Sequence, residues 1–212
     1  MGFQTMGKIL RTDLRRNFLP HLLAAVLIMT AFSMLMGISA LSERQSARPV
    51  EMVMPIMGII LLTPVFLPEQ NENIRDVIRS KKTDYIRICI MRVIYSVFFL
   101  AVLCGIFTLA MRLCESKAEF LHFIGGFTSG LFPGAVGFLF AGVSRNVIAG
   151  YMTALIYYTA NHIMGRRIIF DLFTMTAAAD IHSKYIPAIK LLLIAASLLI
   201  IILCFIFVKE TG

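Results

Sequence analysis

From Phe18 to Leu41 the chain carries no charged side chain. As a helix rising 1.5 Å per residue this run reaches about 36 Å, more than the roughly 30 Å hydrocarbon core of a bilayer. It is longer than the roughly 7–15 apolar residues of a signal-peptide core, and no small-residue cleavage site stands out after it. It is therefore expected to stay as a first membrane span. The rest of the chain repeats the pattern. Of its 212 residues 58% are hydrophobic and 15% charged, against about 25% charged in an ordinary soluble domain. Such a chain has too few charges to cover its apolar surface in water, and the runs are too long for strands of a soluble core.

Six segments approach span length: residues 18–41, 52–67, 93–111, 120–144, 146–164 and 191–208. The second is short and interrupted by Pro55 and Pro64. Only Arg145 divides the fourth from the fifth, so Ser144-Arg145-Asn146 must be a tight turn. The expected fold is an all-α membrane protein, one transmembrane domain over residues 1–212 with six transmembrane helices. Lys8, Arg11, Arg15, Arg16, the six basic residues of Pro68–Arg92, Arg145 and Lys209 gather on one side of such a bundle. The positive-inside rule then puts both termini in the cytoplasm of a multi-pass cell-membrane protein. Arg166 and Arg167 run against that rule.

Three further segments have characters of their own. Met6, Leu10, Leu14 and Phe18 recur every four residues, with Lys8, Arg11 and Arg15 on other faces. That spacing suits an N-terminal interfacial helix lying among headgroups, or the plain basic flank of a first span. Residues 168–179 form an apolar dozen broken by Asp171, too short to cross and suited to a re-entrant apolar hairpin before span six, on the outer face. Between spans two and three, Pro68–Arg92 reads as a charged amphipathic helix. Asn73 is its candidate N-cap, Asp76 stands at N3, and Ile74, Val77 and Ile78 share a face. Its basic residues include Arg75, Arg79, Lys81 and Lys82, and a topology signal alone needs no more. Its acidic residues Glu69, Glu72 and Asp76 exceed that need, so the helix also reads as a docking surface for a cytoplasmic partner.

The chemistry that is missing narrows the function. There is no GxxxxGK[ST] loop for nucleotide, no HExxH pair for zinc and no GxSxG elbow. No metal-ligand spacing occurs, and the four cysteines read as buried free thiols. Within the six runs there is no Asp, Glu, Lys or Arg, and the ionisable side chains singled out are His21, His162 and weakly acidic thiols and phenols. Proton-coupled carriers keep costly intramembrane charges on their path, so a carrier of that kind is disfavoured. The net charge of +8 is spent at membrane boundaries and gives no reason to expect nucleic acid. Tyr151, Tyr158, Asn161 and His162 make a polar stripe along the fifth run, read either as a substrate path or subunit seam or as interhelical packing. Gly126, Gly130 and Gly134, every four residues in the fourth run, suit close helix packing.

These elements together resemble the integral membrane permease subunit of an ABC exporter of the second permease class (ABC type-2 permease). LPEQNENIRDVIRSKKTDYIRICIMRVI is similar to the family's acidic-then-basic coupling stretch, and GVSRNVIAGYMTALIYY to its junction between spans four and five. The resemblance implies a cytoplasmic coupling helix at Glu69–Lys82 and a path lined by spans two and five, near Tyr151, Tyr158 and His162. It also implies cytoplasmic ABC ATPase subunits that hold ATP and Mg, and a second permease copy or paralogue in the lipid bilayer. This chain would then be no enzyme and hold no cofactor. The expected cargo is a peptide, drug or other small amphipathic molecule. The competing functions are a non-transporting membrane scaffold or receptor for a cytoplasmic protein, and a membrane-embedded lipid-acting enzyme.

Overall fold

The computed structural model describes residues 12–70, 85–164, 171–178, 183 and 185–211, the side chains of 69, 70, 85 and 209–211 excepted. Among these residues the chain is helical, with no strand. A π-helical turn Leu14–Phe18 leads into α1 (Leu19–Met36). Then come α2 (Glu43–Leu62), a 3-10 run Thr63–Gln70 and α3 (Tyr85–Leu113). α4 (Phe120–Ser144), α5 (Val147–Met164), the single turn α6 (Thr174–Ala177) and α7 (Tyr185–Thr211) complete the order.

Local chemistry sets the turns. α1 stops at Gly37, whose φ of 66° is cheap only for glycine. α2 starts with a capping box, in which Ser42 Oγ accepts from the Gln45 amide and Gln45 Oε1 accepts from the Ser42 amide. α4 ends at Arg145 in the left-handed region, φ 51°. Asn146 Oδ1 then accepts from the Ile148 amide at 2.9 Å and starts α5.

Successive long helices run antiparallel and define two ends. At one end the loops after α1 and α3 are sewn together. The Ala40 amide donates to Cys114 O, the Lys117 amide to Leu41 O and Ser116 Oγ to Ile38 O. His122 joins them: Nδ1 accepts from the Glu119 amide at 3.0 Å, which leaves the proton on Nε2 to donate to Glu43 O at 2.8 Å. This is the stitched end. The opposite, Arg145 end holds the π turn, the 3-10 run and the start of α3.

α4 is the axis, with α2, α5 and α7 against it. Gly126, Gly130 and Gly134 all face α2. A Cβ on Gly130 would stand 2.7 Å from Met54 O, and one on Gly134 2.6 Å from Gly58 O. α1 and α7 cover the outside and leave apolar side chains such as Leu27, Met34, Leu198 and Leu199 exposed, as suits helices that meet lipid.

Among the described residues five helical segments are long and apolar enough to cross a membrane: Leu14–Met36, Glu43–Pro68, Ile86–Leu113, Phe120–Ser144 and Tyr185–Val208. α5 is not among them. Its 18 residues reach about 27 Å, and they include Thr153, Thr159, Asn161 and His162. The second helix also differs from expectation. It begins at Glu43 and not near Met52, and it carries Pro49 and Pro55 inside it. Burial explains the tolerance, since neighbouring helices enclose both prolines.

Two segments at the edges of the bundle bear on expectation. Residues 12–18 continue into α1 without a break, and Phe18 is buried against Tyr95 and Phe99, with ring centroids 4.7 and 5.1 Å away. Phe18 therefore faces protein and not headgroups. Residues 171–178, part of the stretch read as a re-entrant hairpin, pack into the bundle, with Leu172 and Met175 fully buried, while 168–170 and 179 lie outside the described residues. Met6, Lys8, Leu10 and Arg11 fall outside the described residues, as do Glu72, Arg75, Asp76, Arg79, Lys81 and Lys82. Only the backbone of Glu69, in the 3-10 run, is described.

Candidate functional site: a buried ion pair under a single-turn helix

The stitched end encloses a charge pair. Glu51 lies about 12 Å along α2 from Glu43, and Lys190 about 8 Å along α7 from Tyr185, at 1.5 Å per residue. Lys190 Nζ and Glu51 Oε1 are 2.9 Å apart, with side chains 1% and 0% exposed. Each buried charge loses several kcal/mol of hydration, which is recovered only if every polar atom finds a partner. Here they do. Lys190 Nζ has three protons and three acceptors: Glu51 Oε1, Ser129 Oγ at 2.7 Å and Leu172 O at 3.1 Å. Glu51 Oε1 also accepts from the Met175 amide and Oε2 from the Thr176 amide, both at 2.8 Å.

All these bonds converge on residues 171–178. The Ser129 hydroxyl donates to Leu172 O at 2.9 Å. Asn161 of α5 accepts from the Leu172 amide at 3.1 Å through Oδ1, while its Nδ2 donates to Tyr157 O. Asp171 Oδ1 accepts from the Phe173 amide and bends the chain into α6. Met175 fills the space that Gly125 leaves, since a Cβ there would overlap its sulfur. Four long helices thus hold one short segment through side chains.

A second ion pair lies at the Arg145 end. Arg92 Nε and Nη2 donate to the two oxygens of Asp13 at 3.0 and 2.9 Å, and Nη1 donates to Val65 O at 3.0 Å. Tyr95 Oη and Asn17 Nδ2 add bonds of 2.6 Å to the same carboxylate. The pair fastens the chain ahead of α1 to α3 and the 3-10 run. A cleft beside it is lined by His21, Pro64, Tyr95 and Ser96, among others.

The polar stripe of α5 divides on inspection. Tyr158 Oη donates to Met52 O of α2 at 3.2 Å, and Asn161 is fully buried against residue 172. Tyr151 packs beside the cluster around Phe66 and Phe138. His162 is exposed, its ring edge-on to Phe173 at 5.5 Å. The hydrogen-bonding groups of Tyr158 and Asn161 are thus used inside the chain. Leu155 and Ile156 lie on the exposed side of the helix. The three glycines of α4 contact α2 of the same chain. Cys89, Cys104 and Cys204 are buried free thiols, and Cys114 is partly exposed. Among the described residues no cluster of three His, Cys, Asp or Glu could hold a metal.

The sequence reading missed both ion pairs. Glu51 and Lys190 directly precede the second and sixth apolar runs and looked like solvated flanks, as Arg92 did before the third. The reading of ionisable groups within the six runs passed over His122 of the fourth run, and by stopping at the run edges it missed a carboxylate and an ammonium, Glu51 and Lys190, that are buried in the bundle. Disfavouring an ion-coupled carrier for lack of such charges falls with it. One sequence signal was available, because the Ser42-x-x-Gln45 capping box starts α2 early enough to carry Glu51 inside. In comparisons with protein families, curated proteins and solved structures, nothing matches this chain.

Proposed function

We propose that this chain is the transmembrane subunit of an ATP-driven exporter, paired with a second permease copy or paralogue and docked on separate ATPase subunits. The observation that carries the reading is the single-turn α6. It is wedged between α2, α4 and α7 at one end of a bundle whose opposite end holds residues 70 and 85, which flank the charged 71–84 stretch of the sequence. A bundle with a non-crossing wedge at one mouth and a docking loop at the other suits alternating access. Closure of the ATPases would push on Glu69–Lys82, and the helices would transmit the movement to the wedge. Both termini would lie in the cytoplasm. Tyr151 and His162 remain the candidates on α5 for a path or subunit seam.

The closed bonding of Glu51 and Lys190 also bears on the ion-coupled alternative. Every proton of the ammonium and both carboxylate oxygens are engaged within the chain. Three of the roughly four acceptor sites of the carboxylate are thus taken, and an ion binding there would have to compete with the Lys190 ammonium.

The test is co-expression with a cytoplasmic ATPase encoded beside this chain, followed by reconstitution. The purified chain alone should hydrolyse no ATP, and the complex should couple hydrolysis to export. Reversing Arg75 and Arg79 together should uncouple the two, or release the ATPase, while membrane insertion persists. ATP hydrolysis by the isolated chain, or parental export and retention in the reversed variant, would overturn the assignment. An ATPase-free complex with another cytoplasmic protein would favour the scaffold.

A further inference from the structure

The serines inside the long helices follow one habit. Ser33, Ser46, Ser144 and Ser197 turn their hydroxyls back onto the carbonyl four residues earlier. Ser129 donates instead to Leu172 O. Ser96 of α3 does neither. Its side chain is fully buried, and Oγ has no hydrogen-bond partner among the described residues. A buried hydroxyl in that position carries the whole cost of its lost hydration. Ser96 is also a wall of the cleft at the Arg145 end, with Asn17 of the π turn, His21 of α1, Pro64 of the 3-10 run, and Arg92 and Tyr95 of α3.

The ion pair in that wall leaves nothing for Ser96 to bind. Asp13 accepts two bonds on each oxygen, from Arg92, Tyr95 and Asn17, which fills the roughly four acceptor sites of a carboxylate. His21 does have capacity. Its Nδ1 stands 2.8 Å from Asn17 O, a carbonyl that can only accept, so Nδ1 carries the ring proton. In the neutral ring Nε2 then offers a lone pair, and it makes no hydrogen bond among the described residues. The cleft gives water centres about 20 Å³, and one water needs about 10–15 Å³.

We propose that this cleft is a water-binding site: Ser96 Oγ and His21 Nε2 hold one ordered water between them, and that water ties α1 to α3. The water donates one proton to Nε2 and uses its second proton or a lone pair at Ser96, so both groups are met at once. Solvent at the Arg145 end thereby reaches α3 one helical turn deeper than Arg92. The inference concerns this chain alone and stands apart from the exporter reading.

Two measurements test it, and the proposal requires both results. A crystal structure from a lipid phase, at a resolution that shows ordered waters, should carry water density within hydrogen-bonding distance of both Ser96 Oγ and His21 Nε2. Thermal unfolding of the full chain in detergent should then couple the two residues. Ser96→Ala should lower the midpoint by roughly 2–4 °C, and by less than half of that in the background of His21→Phe, which keeps an aromatic ring and removes its nitrogens. A midpoint unchanged or raised by Ser96→Ala would show a hydroxyl that is simply unmet. An equal fall in both backgrounds would show that it is met elsewhere, by the carbonyl of Arg92 one turn back. A cleft without that density, or with density touching only one of the two residues, would remove the bridge whatever the midpoints do. Each of these results overturns the proposal.

Discussion

The two ion pairs are equal in length, at 2.9 Å, and both are buried, yet they hold different kinds of structure. Asp13–Arg92 joins elements that are long in their own right, and its neighbours Tyr95 and Asn17 would still donate to the carboxylate if the arginine were lost. Glu51–Lys190 is the more deeply buried, and its remaining partners are Ser129 and backbone groups of Leu172, Met175 and Thr176, in a segment whose only helix is a single turn among the described residues. A buried charge pair is weak evidence for stability in general, because desolvation offsets the attraction. What distinguishes these two is what moves when each is cut.

The comparison can be broken by experiment, most sharply at the deeper pair. Lys190→Met alone leaves Glu51 charged and buried, and should cost about 3–5 kcal/mol. It should appear as a large drop in the midpoint of detergent–denaturant unfolding, with segment 171–178 exposed first. Arg92→Met should cost less, about 1.5–3 kcal/mol, since Asp13 keeps two neutral donors. Its early exposure should fall on residues 12–18 and leave 171–178 protected. Equal losses at the same segment would erase the distinction between the two ends.

The frame joining the ends provides the next test. Gly130→Ala places a Cβ against Met54 O, a backbone atom that cannot rotate away. Overpacking of about 1–3 kcal/mol is expected, with both ends loosened together. Tyr158→Phe removes one bond to Met52 O and should cost about 0.6 kcal/mol, the typical size of a polar contact between membrane helices. Ile156→Ala on the exposed side of α5 should change unfolding by no more than about 0.5 kcal/mol in the isolated chain. A larger loss there, seen only in the assembled complex, would place a second copy against that face.

Particular residues show where sequence reading succeeds and fails. The all-helical, membrane-length character follows from the apolar runs, since a backbone in hydrocarbon must satisfy its own hydrogen bonds. The reversal at Ser144-Arg145-Asn146 was legible because a helix through both runs would far exceed a bilayer. The start of α2 was misplaced because Pro49, Arg48 and Glu51 look like loop residues, and nothing in a linear pattern shows that α4 and α7 will enclose them. The polar stripe of α5 was visible as a stripe, but whether Tyr158 and Asn161 face a path or a neighbouring helix depends on α2 and residue 172.

The sequence by itself determined that this chain is helical, membrane-embedded and turned at set points, because hydrophobic run length and backbone hydrogen bonding act locally. Only the tertiary structure decided which charges are inside. Glu51 and Lys190 are far apart in the chain and each stands at the edge of an apolar run. They become a pair only when α2, α4 and α7 pack side by side and exclude the water that would otherwise solvate them.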